Sequence, residues 1–180
     1  SLKKILSSEP KFRFKQVMQA IYVDFVYDWD EVTTLSKELR SKLNIEAPLV
    51  INSGLSESKD KNTNKGLITL EDGLQIETVL MKHINGRRTV CVSSQVGCPL
   101  ACTFCDTGKM GFKRNLTSYE IIEQVIFWGR ILKKNNERVS NVVFMGMGEP
   151  FLNYDNVMKA IRVLNDKDGF DIGARKISIS

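Results

Sequence analysis

A single histidine, His83, stands among 180 residues, with only four cysteines and four prolines. No second Cys or His pair is therefore available to complete a zinc site: beyond the clustered cysteines only His83 and Cys91 remain. No apolar run approaches the ~20 residues that a membrane helix requires, and Ser1-Leu2-Lys3-Lys4 lacks the apolar stretch of a secretory signal. No membrane association and a cytoplasmic location are expected. There is no basic or acidic tail either. The 26 Lys and Arg and 21 Asp and Glu, net charge +5, are spread along the chain, so any nucleic-acid contact is expected from a folded surface. At 42% hydrophobic residues the chain can bury one good core with a small appendage.

What is present is concentrated. Cys98-Pro-Leu-Ala-Cys102-Thr-Phe-Cys105 places three of the four cysteines in one loop at C-x3-C-x2-C spacing. Three clustered thiols argue against a disulfide framework and for a reducing compartment. A [4Fe-4S] cubane takes one soft ligand on each iron, so three thiolates would leave one iron open to another ligand. The competing reading is a structural zinc knot, which the missing fourth ligand disfavours.

Along the chain, Glu9-Pro10 opens a helical region whose Phe14, Val17, Met18, Ile21, Tyr22 and Phe25 recur at three- and four-residue steps. A second helix is expected over Leu35–Leu43, after the turn-like Asp28-Trp29-Asp30. Taken alone, these helices read as a packing module without chemistry. From Ala47-Pro48 the pattern becomes strand-like. Ser56–Lys65 reads as an exposed polar loop, and Leu67–Leu70 and Leu74–Met81 as a hairpin about Glu71-Asp72-Gly73. Alternation sends Leu74, Ile76, Thr78 and Leu80 to one face and Gln75, Glu77, Val79 and Met81 to the other. Glu77 thus shares a face with apolar neighbours, where burial would make it a better base; the alternative is an exposed strand carboxylate.

Asn85-Gly86 turns the chain into a strand over Arg88–Ser94, which carries Cys91 and opens into the cysteine loop. Thr117-Ser-Tyr-Glu120 is a capping box for a helix to about Lys134. Val139–Met145 reads as a strand ending in Gly146-Met-Gly-Glu149-Pro150. Asp155 is expected to cap a further helix through Leu164, and Lys176–Ser180 to begin another strand. Strand, loop, helix in succession predicts parallel βαβ units in an α/β fold, with ligands at the carboxyl ends of the strands.

The three-cysteine loop with Phe104 resembles the radical S-adenosylmethionine (SAM) superfamily. Cys91-Val-Ser-Ser-Gln-Val-Gly-Cys98, Gly111-Phe-Lys-Arg-Asn-Leu116, Phe144-Met-Gly-Met-Gly-Glu-Pro150 and Asn153-Tyr-Asp-Asn156 are similar to the bacterial dual-specificity adenine-C2 methyltransferases of 23S rRNA and tRNA. The resemblance implies a partial (β/α)6 radical SAM barrel with three parts: a helical accessory, RNA-binding-like domain over 1–46, a β-hairpin linker over 47–87 and the N-terminal half of the barrel over 88–180. It implies a [4Fe-4S] cluster on Cys98, Cys102 and Cys105, and SAM contacted by Gly148, Glu149 and Ser180. Glu77 would be the general base, and Cys91 the thiol that resolves a protein–RNA covalent intermediate by disulfide formation. For Cys91 a small buried strand residue and a fourth cluster ligand stand as alternatives. Asp106 departs from the family pattern and puts a carboxylate beside the third cysteine.

The resemblance further implies 23S rRNA and tRNA as partners, an electron donor such as flavodoxin, and a monomer at full length. The methyl-carrying cysteine that this chemistry requires belongs to the C-terminal part of the family's barrel; no residue here can stand in for it, and residues 1–180 alone are expected to be inactive. Related adenine-C8 methyltransferases, which tend to carry alanine where Pro150 stands, and a non-enzymatic metal-binding RNA module are the rival readings.

Overall fold

The computed structural model describes residues 2–180. A short helix α1, Leu2–Ile5, precedes α2, Lys11–Tyr22, which starts directly after Pro10 and buries Val17, Ala20 and Ile21. Proline suits this entry because its missing N–H would go unused at a helix start. Asp28 then caps the 3-10 turn Trp29–Glu31 with a complete capping box. Trp29 is fully buried and donates its indole N–H to the Ala47 carbonyl at 2.7 Å, tying the turn to the end of α3, Lys37–Glu46.

The strands are β1 Asn52–Glu57, β2 Thr63–Thr69, β3 Gln75–Lys82, β4 Arg88–Cys91, β5 Gln95–Val96, β6 Arg114–Asn115, β7 Asn141–Phe144 and β8 Ile177–Ile179. Six form one mixed sheet in the order β1-β2-β3-β4-β7-β8, antiparallel from β1 to β4 and parallel from β4 to β8. The hairpin strands are thus continuous with the parallel half. The expected polar loop at Ser56–Lys65 is a correction: its ends belong to β1 and β2, and only the tip between them turns. Edge strand β1 is exposed at every residue, so no alternation could mark it, and its pairing energy comes from backbone bonds. Gly73 turns the next hairpin at φ +81°, as the Asp-Gly pair predicts. Alternation in β3 is as expected, with Ile76, Thr78 and Leu80 buried.

Helices α5, Ser118–Lys133, and α6, Tyr154–Asn165, pack against each other beside the parallel strands. The Thr117/Glu120 capping box forms as predicted. Asp155 does not cap α6: Asn153 holds that position, and Asp155 lies in the first turn, where its charge suits the amino-terminal dipole. On α5, the Trp128 indole N–H donates to Thr78 Oγ1 at 3.0 Å, and that hydroxyl donates to the Cys91 carbonyl at 2.8 Å, linking helix, β3 and β4. Gly129 leaves the space that the Phe25 ring occupies, and Arg130 donates to the Val26 carbonyl at 2.6 Å, so the helical segment docks on α5.

Gln124 is wholly buried, and its side-chain amide accepts from the Ser93 backbone N–H at 2.7 Å and donates to the Ser93 carbonyl at 2.9 Å. Gln124→Leu strands both groups in the interior and is expected to destabilise by about 2–4 kcal/mol. Denaturant unfolding measures this; a loss below about 0.5 kcal/mol would show that Ser93 finds other partners.

Candidate active site

The candidate site residues gather where chain geometry aligns the ends of β4 and β7. Beyond β4, the Val92 N–H donates to the Val143 carbonyl and the Gly146 N–H to the Val92 carbonyl. The Ser94 and Gln95 N–H groups both donate to the Met147 carbonyl. The loops after the two strands are therefore laced together. The short ribbon β5–β6 pairs Gln95 with Asn115 and Val96 with Arg114, and so brackets the segment that carries Cys98, Cys102 and Cys105.

All three loop cysteines are free and half-buried. Cys105 leads into the turn α4, Asp106–Lys109, and the Gly108 N–H, then that of Thr107, pulls its thiol pKa down, favouring the thiolate form. Asp106 turns away into solvent and pairs with Lys109 at 2.8 Å. One thiolate per iron makes the three thiols of this loop a fitting donor set for a [4Fe-4S] cluster with one iron open, and the loop Cys98–Cys105 offers no fourth Cys or His to close a zinc site.

Cys91 ends β4, opposite Val79 of β3 and Val143 of β7. Directly paired residues share a face, and Glu77 lies two residues from Val79, so Cys91 and Glu77 look out of the same side of the sheet. This is the side away from the buried Thr78 that meets α5. Continuing the register, Ser178 of β8 pairs with Val143 and shares that face; Ser180, two residues on, is exposed. Burial raises the Cys91 thiol pKa, opposed in part by the Met145 N–H, which argues against a fourth cluster thiolate. Glu77 is not buried: its side chain is 46% exposed and pairs with Lys65 at 3.0 Å, because β2 brings that lysine onto the same face.

The Gly146–Glu149 turn follows β7. Gly148 has φ +92°, and a Cβ there would run into the Gln95 side chain, so only glycine permits this approach. The Glu149 carboxylate caps the 3-10 turn Pro150–Asn153 by accepting from the Phe151 N–H at 3.1 Å. Residues that the sequence reading passed over hold the turn in place. Gln95 is buried and accepts from the Glu149 N–H at 2.9 Å, and Asn153 donates to the Ser94 and Leu116 carbonyls, both at 2.7 Å. In the sequence both stand inside longer motifs. Their signal was a side-chain amide among residues destined for burial, which must find partners.

Residues 92–180 match the family model "Radical SAM superfamily", and residues 5–49 match "Ribosomal RNA large subunit methyltransferase N-terminal domain". Among curated relatives, the "Probable dual-specificity RNA methyltransferase RlmN" of Dictyoglomus turgidum is 49% identical over 96% of this chain and 49% of its own length. The protein of that name from Staphylococcus saprophyticus is 46% identical over 98% of this chain and 48% of its own length. A crystal structure of a radical SAM methyltransferase from Sphaerobacter thermophilus superposes with TM-score 0.92 at 40% identity, covering 99% of this chain and 53% of that one. The chain spans about half the length of the curated relatives it matches. It belongs to the radical SAM superfamily, whose members bind a [4Fe-4S] cluster and SAM, in the branch whose curated members are named dual-specificity RNA methyltransferase RlmN.

Proposed function

We propose that the protein to which these residues belong is a radical SAM RNA methyltransferase that methylates C2 of an adenosine in 23S rRNA and in tRNA. The methyl group passes through a cysteine contributed from outside these residues. The observation that carries this reading is the common placement of two loops. Adjacent parallel strands β4 and β7 bring the C-x3-C-x2-C loop and the Gly-Glu turn to one end of the sheet, with Cys91 and Glu77 on one face beside them. Bound there, the cluster and SAM supply one-electron cleavage of a sulfonium sulfur–carbon bond.

Each candidate site residue has a task in this scheme. Cys98, Cys102 and Cys105 would hold the cluster, three thiolates leaving a position open for SAM. Gly148 lets the backbone come close to the methionine end of SAM, and Glu149 and Ser180 bind beside it. Glu77 takes the C2 proton, which requires its carboxylate to leave Lys65. Cys91, whose thiol burial keeps protonated, resolves the protein–RNA thioether by forming a disulfide with the methyl-carrying cysteine. Electrons come from a small carrier such as flavodoxin, and the enzyme works as a cytoplasmic monomer. No helix among the described residues is long and apolar enough to cross a membrane.

The test is the Cys91→Ala variant of the full-length protein, made in cells and run on a denaturing gel probed for covalently bound RNA. An accumulated protein–RNA species is expected, because only the last step is blocked. Normal turnover without an adduct would overturn the role of Cys91, and methylation at an adenine carbon other than C2 would overturn the assignment of the product.

A further inference from the structure

Gln95 and Asn115 are cross-strand partners in the ribbon β5–β6, and together they form a relay of side-chain amides. Glu149 N–H donates to Gln95 Oε1 at 2.9 Å, Gln95 Nε2 donates to Asn115 Oδ1 at 2.8 Å, and Asn115 Nδ2 donates to the Leu152 carbonyl at 3.3 Å. The relay begins and ends on one turn, since the Leu152 N–H itself donates to the Glu149 carbonyl at 3.1 Å. Both amides are thus oriented by partners that can only donate or only accept, and each bond polarises the next. The strands that carry the relay are the two that bracket the cysteine loop. Gln95 is 1% exposed, so its alignment is protected from water.

We propose that Gln95, supported by Asn115, is a positioning residue that sets the Gly148-Glu149 turn against the cysteine loop, so that cluster and SAM meet at one distance and angle. This inference rests on the proposed function of the two loops. Neither side chain needs to touch the substrate: the ribbon moves with the cysteine loop, and the relay makes the turn follow it. Arg114, next to Asn115, anchors the same ribbon through Asp72 at 2.6 Å and Glu120 at 2.7 Å, so the relay stands on a braced element.

The experiment compares Gln95→Met, Asn115→Leu and the double variant of the full-length protein in SAM cleavage. Gln95→Met keeps the length and removes both hydrogen bonds. The apparent KM for SAM is expected to rise about tenfold, the worth of one or two neutral hydrogen bonds, with kcat changed less than about threefold. Asn115→Leu should raise KM less, and should add nothing in the Gln95→Met background because the pair acts as a unit. A second readout is hydrogen exchange in the metal-free protein. The amides of Glu149, Phe151 and Leu152 should exchange faster in Gln95→Met while those of α5 keep the wild-type rate. An unchanged KM in a Gln95→Met protein of native melting temperature, fully additive KM shifts, or faster exchange spread evenly over the core would overturn the proposal. If the wild-type protein cleaves no SAM, the function itself is refuted, while hydrogen exchange still reports on the relay.

Discussion

Alanine at Cys98, Cys102 or Cys105 is expected to abolish [4Fe-4S] assembly while leaving a folded protein. The thiols are half-buried and stand in a loop outside the apolar core, so losing one sulfur opens no large cavity. A cubane left with two protein thiolates has two irons exposed to solvent, which turns a partial loss of ligands into an all-or-none loss of the group. Iron and sulfide counts after anaerobic reconstitution, read beside the melting temperature, check this. Full cluster content in any of the three variants would remove that cysteine from the ligand set. Stoichiometric zinc with no iron in the wild type would overturn the cluster assignment altogether.

The second large effect is expected on stability as a function of pH, at Glu123 of α5. Burial, with Glu120 and Glu71 nearby, raises its carboxyl pKa to about 7 against a partial opposing pull from Arg130. In the unfolded chain the same carboxyl titrates near ~4.3. Below that value both states hold the proton and the group contributes nothing. As pH rises from there to 7, the unfolded state releases its proton and the folded state does not, so stability falls by at most about 3.7 kcal/mol, less what solvent screening at the partly exposed carboxylate removes, and stays lost above pH 7. Glu123→Gln should therefore be close to neutral at pH 4.5 and stabilise by about 2–3 kcal/mol at pH 8. Glu120 and Glu137 act in the opposite sense and in a separate window. Arg114 and Arg88, respectively, depress their pKa, so the stability they add is present above pH ~4.3 and fades below it. Denaturant unfolding of wild type and variant at the two pH values checks the sign; an effect independent of pH would show that Glu123 is ionised in the folded protein.

The elements that were legible beforehand share one property: their cause lies within a few residues. The capping box at Thr117 and Glu120, the Asp72-Gly73 turn and the alternation through Ile76, Thr78 and Leu80 all form as read. The spacing of the three thiols in one loop needed no fold to be recognised. Other elements are set by a longer-range partner. β1 is a strand because β2 lies beside it, although nothing in Asn52–Glu57 repeats with a period of two. Asn153 displaced Asp155 from the start of α6 once its amide was drawn to the carbonyls of Ser94 and Leu116.

The sequence by itself determined the α/β class, the order of the βαβ units, the thiol loop and the glycine turn, because periodicity, turn chemistry and ligand spacing are written in neighbouring residues. Only the tertiary structure decided that Glu77 meets Lys65, that Glu123 is enclosed with Glu120, Glu71 and Arg130, and that Gln95 grips the turn at Glu149. The partner of Gln95 is 54 residues away. Charge environments and buried hydrogen bonds depend on which distant strands and helices fold against each other, and no local pattern of residues encodes that choice.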